Sequence, residues 1–137
     1  MSEIKITSGL EDYIEVISNY LQKFGKVRAV DISRELNVSR ASVSEALNRL
    51  SEQGFINYGR YGAISITQKG VSAADSVIKR HTILHNFLCG ILGLDELEAS
   101  ENACKIEHVI SDNMLTRLNN FLEYCDKNPE FIKNFKL

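Results

Sequence analysis

Proline occurs once in the 137 residues, at Pro129, and glycine eight times, so few positions interrupt a helix. A mainly α-helical chain is expected. Cysteine is also scarce: three residues, an odd count with no CxxC pair, which excludes a disulfide framework. The thiols are therefore expected to be reduced, and the cytoplasm is the expected compartment. Apolar runs extend over only a few residues, too short for a transmembrane helix. The opening stretch MSEIKITSGLED carries acids at once and has no apolar h-region, which speaks against a secretory signal. HExxH motifs, Gly-rich phosphate loops and an obvious nucleophile–base pair are missing too, so an enzyme is not expected. The length accommodates one or two small domains, with no internal repeat or low-complexity linker.

The charge looks uninformative until it is located. Sixteen Lys and Arg against eighteen Asp and Glu give a net charge of −2, which argues weakly against a nucleic-acid partner. Residues 23–69, however, hold eight bases (Lys23, Lys26, Arg28, Arg34, Arg40, Arg49, Arg60, Lys69) and four acids (Asp31, Glu35, Glu45, Glu52). That segment is net +4 and the remainder net −6. A basic middle between acidic ends has to be explained.

Periodicity places the elements. Leu10, Tyr13, Ile14, Ile17, Tyr20, Leu21 and Phe24 recur at helical spacing, so a helix is expected from about Gly9 to Phe24, closed by Gly25. A short helix over about 29–36 buries Ile32 and Leu36. A third follows Ser39 as N-cap, with Val43, Ala46, Leu47 and Leu50 facing inward and Gly54 as its end. Two β-prone runs flank Gly59-Arg-Tyr-Gly62, the pattern of a β-hairpin. Thr67 caps a long helix to about Leu92, Asp95 starts another to about Ile110, and Ser111 or Asp112 caps a last one to about Cys125. The expected division is 1–71 and 72–137.

Helix, helix, turn, helix and hairpin follow one another in the order of a winged helix-turn-helix, in which one helix enters the major groove of DNA. The outward face of the third helix offers Ser39, Arg40, Ala41, Ser42, Ser44, Glu45, Asn48 and Arg49. Small residues at its start permit close approach, and hydroxyl, carboxylate and amide groups can read bases or hold phosphates. Arg60 and Tyr61 at the hairpin tip suit a wing on the backbone or minor groove, and Lys26 and Arg28 sit where phosphate contacts are common. An ordinary solvated helix face is the bland alternative. The turn, the hairpin and the local +4 together favour double-stranded DNA.

The acidic remainder holds ligand chemistry. His81 and His85 are four apart on the long helix, and Cys104, Glu107 and His108 are spaced to share one face of the next. Thiol, carboxylate and imidazole on adjacent turns supply half a coordination sphere for a divalent transition metal. Asp12 and Glu15 lie on the first helix, away from its apolar stripe. Taken singly, each has an ordinary reading, the carboxylates as solvated surface groups and Cys104 as a small core residue. Cys89 and Cys125 lack ligand-type neighbours at useful spacing and are expected to be structural.

Asp12-Tyr-Ile-Glu15, Ser39-Arg-Ala-Ser-Val-Ser-Glu45, Thr67-Gln-Lys-Gly70, Lys79-Arg-His81 and Cys104-Lys-Ile-Glu-His108 together resemble the diphtheria toxin repressor family of metal-dependent transcription regulators. The resemblance runs from Leu10 to Phe131 and is closest to the short manganese-transport-regulator branch, with no SH3-like third domain expected. It implies metal ligands at Asp12, Glu15, His81, Cys104, Glu107 and His108. The manganese branch carries Glu where this chain has Cys104, and the iron branch carries Met where it has Asp12, so the set mixes the two types. His85 stands where the iron branch has an acid binding an ancillary metal, the matching ancillary histidine is Ser100 here, and Glu101 is a substitute candidate. The resemblance further implies Fe²⁺ or Mn²⁺ as cofactor, with Zn²⁺ or Co²⁺ able to substitute in vitro. It also implies a homodimer on a palindromic operator, and repression. Leu97, Met114, Leu115, Leu118 and Leu122 are the apolar residues available for that dimer. Neither a membrane nor a small-molecule substrate is expected as partner. The leading alternative is a metal-independent winged-helix regulator of the multiple-antibiotic-resistance type, answering to a small molecule; a hydrolytic metalloenzyme is a weaker one.

Overall fold

The computed structural model describes residues 6–135, so the start of the stretch read for a secretory signal lies outside the described residues. Those residues divide into two compact units, one ending at Val77 and the other beginning at Ile78. Helix α4 (Gln68–Asn86) runs through that boundary, and the boundary expected at 71/72 falls within the same helix. No described helix is long and apolar enough to cross a membrane.

In the first unit, α1 (Ser8–Phe24) buries Leu10, Ile14, Val16 and Ile17 against Ile32 of α2 (Ala29–Leu36) and Val43, Leu47 and Leu50 of α3 (Arg40–Glu52). Gly25 ends α1 at φ +74°, its N–H donating to the Leu21 carbonyl at 3.0 Å, as the left-handed cap requires. Phe24 does not join the core as expected and is 59% exposed. It occupies the last turn before the chain bends away, and Tyr20 and the Lys23 ammonium pack on its ring instead. Leu36 is only half-buried.

Helix α2 starts on a carboxylate. Asp31 Oδ2 accepts from the Arg28 backbone N–H at 2.9 Å, and the Arg28 guanidinium adds contacts at 3.4 Å. These donors, the backbone N–H first, hold the Asp31 carboxyl below its ordinary range. A carboxylate favoured in the folded state stabilises above its unfolded pKa, and that contribution fades as pH falls through the depressed folded value. We therefore expect Asp31→Ala to cost at most about 1 kcal/mol near neutrality and less in acid. Urea unfolding of both proteins across an acid pH series checks this; a constant difference between them would contradict it.

Ser39 caps α3 as expected, accepting from the Ser42 N–H at 3.1 Å. Gly54, at φ +82°, lets the chain reverse, and Phe55 N–H then bonds the Leu50 carbonyl at 2.9 Å. The hairpin pairs β1 (Ile56–Tyr58) with β2 (Ile64–Ile66) in the register Ile56↔Ile66, Asn57↔Ser65, Tyr58↔Ile64. Period-two alternation sinks Ile56 and Ile64 and leaves Asn57 and Ser65 outside. Thr67 Oγ1 accepts from the Gly70 N–H at 3.1 Å, capping α4, and donates to the carbonyls of Gly54 and Phe55 at 2.6 and 3.0 Å. One hydroxyl thus joins the hairpin's base to the start of α4.

In the second unit, α4 gives way at Phe87–Ile91 to a π-helical turn, short of the expected end at Leu92. Gly93, at φ +74°, reverses the chain, and Leu94 N–H bonds the Leu88 carbonyl at 3.0 Å. Asp95 caps α5 (Glu96–Ile106), accepting from the Glu98 N–H at 2.8 Å. Ala99 and Ala103, both fully buried, give α5 a narrow face that packs close to Leu84 and Leu88. Ser111 caps α6 (Asp112–Lys127), and a further short helix α7 (Glu130–Lys133), absent from the expectation, follows Pro129. Proline at the entry of a helix is favourable, because the missing N–H would have had no intrahelical partner.

Candidate metal centre and nucleic-acid face

His81 on α4, Cys104 on α5 and Glu107 just beyond α5 converge. Nδ1 of His81 lies 2.8 Å from Glu107 Oε2 and 3.7 Å from the Cys104 sulfur, and one ligand atom from each residue lies within 4.8 Å of the others. His108 adds Nε2 at 3.6 Å from Glu107 Oε1. The expectation that Cys104, Glu107 and His108 share one helix face needs correction. Helix α5 ends at Ile106, and Glu107 and His108 stand in the turn that closes it. Glu107 N–H still bonds the Ala103 carbonyl at 2.9 Å, so helical spacing survives for that residue. Val109 and Ile110 then both turn back to the Ile106 carbonyl.

Glu107 is the centre's unusual member: it is fully buried. An ionised carboxylate at zero exposure is costly unless positive charge faces it. Arg80 Nη1 donates to the Glu107 main-chain carbonyl at 2.7 Å, which fixes the turn that aims the carboxylate at His81. Imidazole, thiol and buried carboxylate at this spacing form a donor set for a borderline divalent transition ion, so the residues fit such a cation. Asp12 (exposed) and Glu15 (half-buried) lie on α1 in the first unit.

His85 falls elsewhere than expected. Its Nε2 lies 3.1 Å from Glu96 Oε2, and Cys89 completes a second group of ligand atoms within 4.8 Å. Glu101, exposed on α5, is not in that group, and Ser100 is half-buried. Cys89, expected to lack ligand-type neighbours, thus has two of them. The signal was its spacing four residues after His85, masked by the apolar sequence around it. Cys125 is buried at 3% exposure.

On the first unit, Ser39, Arg40, Ala41, Ser42, Ser44, Glu45, Asn48 and Arg49 are all exposed, opposite the buried Val43, Leu47 and Leu50. Lys26 is exposed, whereas the Arg28 guanidinium leans on Asp31. Lys69, counted with the basic segment, donates to the Gln53 carbonyl at 2.8 Å and lies over the Phe55 ring, so it braces the fold. At the hairpin tip Arg60 and Tyr61 are exposed, and Tyr61 takes φ +63°, a left-handed conformation costing on the order of 1–2 kcal/mol for an L-residue.

A helix-turn-helix with a hairpin wing, followed by a helical unit that gathers imidazole, thiol and carboxylate, defines a DNA-binding regulator of the metal-responsive class. Family models carry this further. Residues 5–64 match the iron-dependent repressor N-terminal DNA-binding domain, and residues 67–135 match the iron-dependent repressor metal-binding and dimerisation domain. The chain belongs to this family, the diphtheria toxin repressor family of metal-dependent transcription regulators, and is similar to its short branch. It is 34% identical over 119 residues to an uncharacterised helix-turn-helix-type transcriptional regulator of Methanocaldococcus jannaschii, covering 86% of this chain and 95% of that one. The transcriptional regulator MntR of Listeria welshimeri is 30% identical over 130 residues, 95% of this chain and 91% of that one. Among solved structures, the manganese regulator SloR aligns with a TM-score of 0.77 at 28% identity over 87% of this chain. A manganese-dependent transcriptional repressor in complex with manganese aligns at 0.76 and 31% identity over 84%. This chain spans about half the length of those two solved chains, 55% and 53%.

Proposed function

We propose that the chain is a cytoplasmic, homodimeric repressor that binds a palindromic operator when loaded with Fe²⁺ or Mn²⁺. The single observation that carries the metal half is the buried Glu107 carboxylate set against His81 and Cys104. Its proposed ligands are His81, Cys104, Glu107 and His108 with Asp12 and Glu15, the last two assigned by family resemblance alone. A thiol beside imidazole favours Fe²⁺, and three carboxylates favour Mn²⁺.

When bound, the cation supplies two positive charges at a site rich in carboxylates. Without that charge the Asp12, Glu15 and Glu107 carboxylates of the set implied by the resemblance repel one another, so the ligand set favours different states loaded and empty. A ligand shifts an equilibrium only by its differential affinity, and this set provides one. In the DNA-competent state, Ser42, Ser44, Glu45, Asn48 and Arg49 read the major groove, with Ser39, Arg40 and Ala41 at the helix entry. Lys26, Arg28, Arg60 and Tyr61 hold the backbone. Support for the dimer comes from the second unit, where Leu97, Val109, Met114, Tyr124, Phe131 and Phe135 are each more than half exposed.

Operator binding by fluorescence anisotropy, in chelator and at controlled free Fe²⁺ (anaerobic) or Mn²⁺, tests the proposal. Affinity should rise with metal by about 100-fold, within the range of strong allosteric coupling. Equal affinity in chelator and in both metals would favour the small-molecule regulator instead. Arg60→Ala should weaken binding similarly across DNA sequences and reduce the slope of affinity against salt by about one ion. An altered base preference at unchanged affinity would contradict a backbone role for the wing.

A further inference from the structure

The residues left over by the first centre make a second one. His85, in the last turn of α4, Cys89 in the π-helical turn and Glu96 at the start of α5 each present a ligand atom within 4.8 Å of the others. We propose that these three residues bind a second divalent cation, of the thiolate-accepting class typified by Zn²⁺ and Co²⁺, that clamps the α4–α5 turn. The proposal stands apart from the first centre and shares no ligand with it.

The bland reading is a surface histidine hydrogen-bonded to a carboxylate at a helix N-terminus, and His85 Nε2 to Glu96 Oε2 at 3.1 Å is such a contact. Two further features point past it. The third donor is a half-buried thiol, which neither solvates the pair nor belongs to an ordinary surface salt bridge. The backbone that presents the thiol is a five-residue π-helical turn, a rare local geometry found frequently at functional sites. Gly93 and the Leu94–Leu88 hydrogen bond then fold the chain back so that Glu96 meets His85.

The geometry suits a tetrahedral ion. Bond lengths of about 2.0–2.3 Å to N, O and S set the donors roughly 3.3–3.8 Å apart. His85 Nε2 and Glu96 Oε2 already stand 3.1 Å apart, and the Glu96 side chain, 84% exposed, has room to rotate toward the thiol. Three protein ligands leave a fourth position for water, reached from solvent on the Glu96 side. His81 and His85 stack at 6.3 Å, so the two centres lie one helical turn apart along α4. A cation here would fix the start of α5, the helix that carries Cys104.

Anaerobic Co²⁺ titration of the full chain, followed by the thiolate-to-cobalt charge-transfer absorption, tests this. Wild type should bind two equivalents. Cys104→Ser should keep a charge-transfer band from Cys89, and Cys104→Ser/Cys89→Ser should lose it. Because Cys89 packs against the helical core, Glu96→Gln in the Cys104→Ser background gives a second arm at an exposed position. It should weaken Co²⁺ binding by at least about tenfold with the thermal unfolding of the metal-free protein unchanged. Loss of the whole band on Cys104→Ser, or unchanged affinity on adding Glu96→Gln, overturns the second centre. Failure of the first centre reads differently: the band would be missing from Cys89→Ser and intact in Cys104→Ser.

Discussion

Glu107→Gln should lower the affinity of the first centre for Mn²⁺ or Fe²⁺ by at least about 100-fold and abolish metal-stimulated operator binding. The reasoning starts from burial. Glutamine matches glutamate in shape and preserves packing at a fully buried position, but it brings neither negative charge nor a good oxygen donor. Outer partners of a metal ligand already contribute 10–100-fold to affinity, so loss of the ligand itself should contribute at least as much. Calorimetric metal titration reads the first effect and fluorescence anisotropy the second. Basal DNA affinity in chelator should stay at the wild-type level, because α3 and the hairpin lie in the other unit. Retained metal affinity with lost DNA binding would show that Glu107 acts through the fold and does not hold the ion. Cys104→Ala, on the exposed side of the centre, should lose stimulation too, while shifting metal preference away from thiolate-seeking ions.

The contrast between Glu107 and its neighbours shows what periodicity and spacing can reach. Helix α3 was legible because Ser39, the Val43/Leu47/Leu50 stripe and Gly54 are local signals that agree with one another. The hairpin was equally legible, since its glycine-bounded tip and alternating strands lie within eleven residues. The set Cys104/Glu107/His108 could be found by spacing, but the end of α5 at Ile106 could not. That end depends on Val109 and Ile110 both turning to one carbonyl, a tertiary choice. Cys89 was illegible for another reason. Its partners are one turn back and across a reversal, and the π-helical turn that aims the thiol breaks the periodicity on which helix reading depends. Lys69 shows the limit of counting charge: the local +4 includes a lysine bound to the Gln53 carbonyl, so the surface available to phosphates is less basic than the segment.

Gly70→Ala should destabilise the DNA-binding unit by about 1–3 kcal/mol or more and weaken operator binding with metal present. The cause is close approach, since a Cβ at this position would stand 2.0 Å from the Phe55 carbonyl oxygen and 2.7 Å from Ile66. The oxygen is backbone and cannot rotate away, so α4 or the base of the hairpin has to move. That oxygen also accepts from Thr67 N–H at 3.1 Å and Thr67 Oγ1 at 3.0 Å, and the displacement breaks the joint where one hydroxyl caps α4 and anchors the wing. Helix propensity runs the other way, alanine being favoured over glycine by up to about 1 kcal/mol in a helix interior. The clash outweighs it because interiors close-pack and a backbone shift of an ångström is felt by every neighbour. Phe55 and Ile64, both buried, would lose contacts with it. Denaturant unfolding of the two proteins measures the stability term, and anisotropy at saturating metal measures the wing. A stabilised Gly70→Ala protein would mean that propensity wins at this site and that the hairpin tolerates the shift.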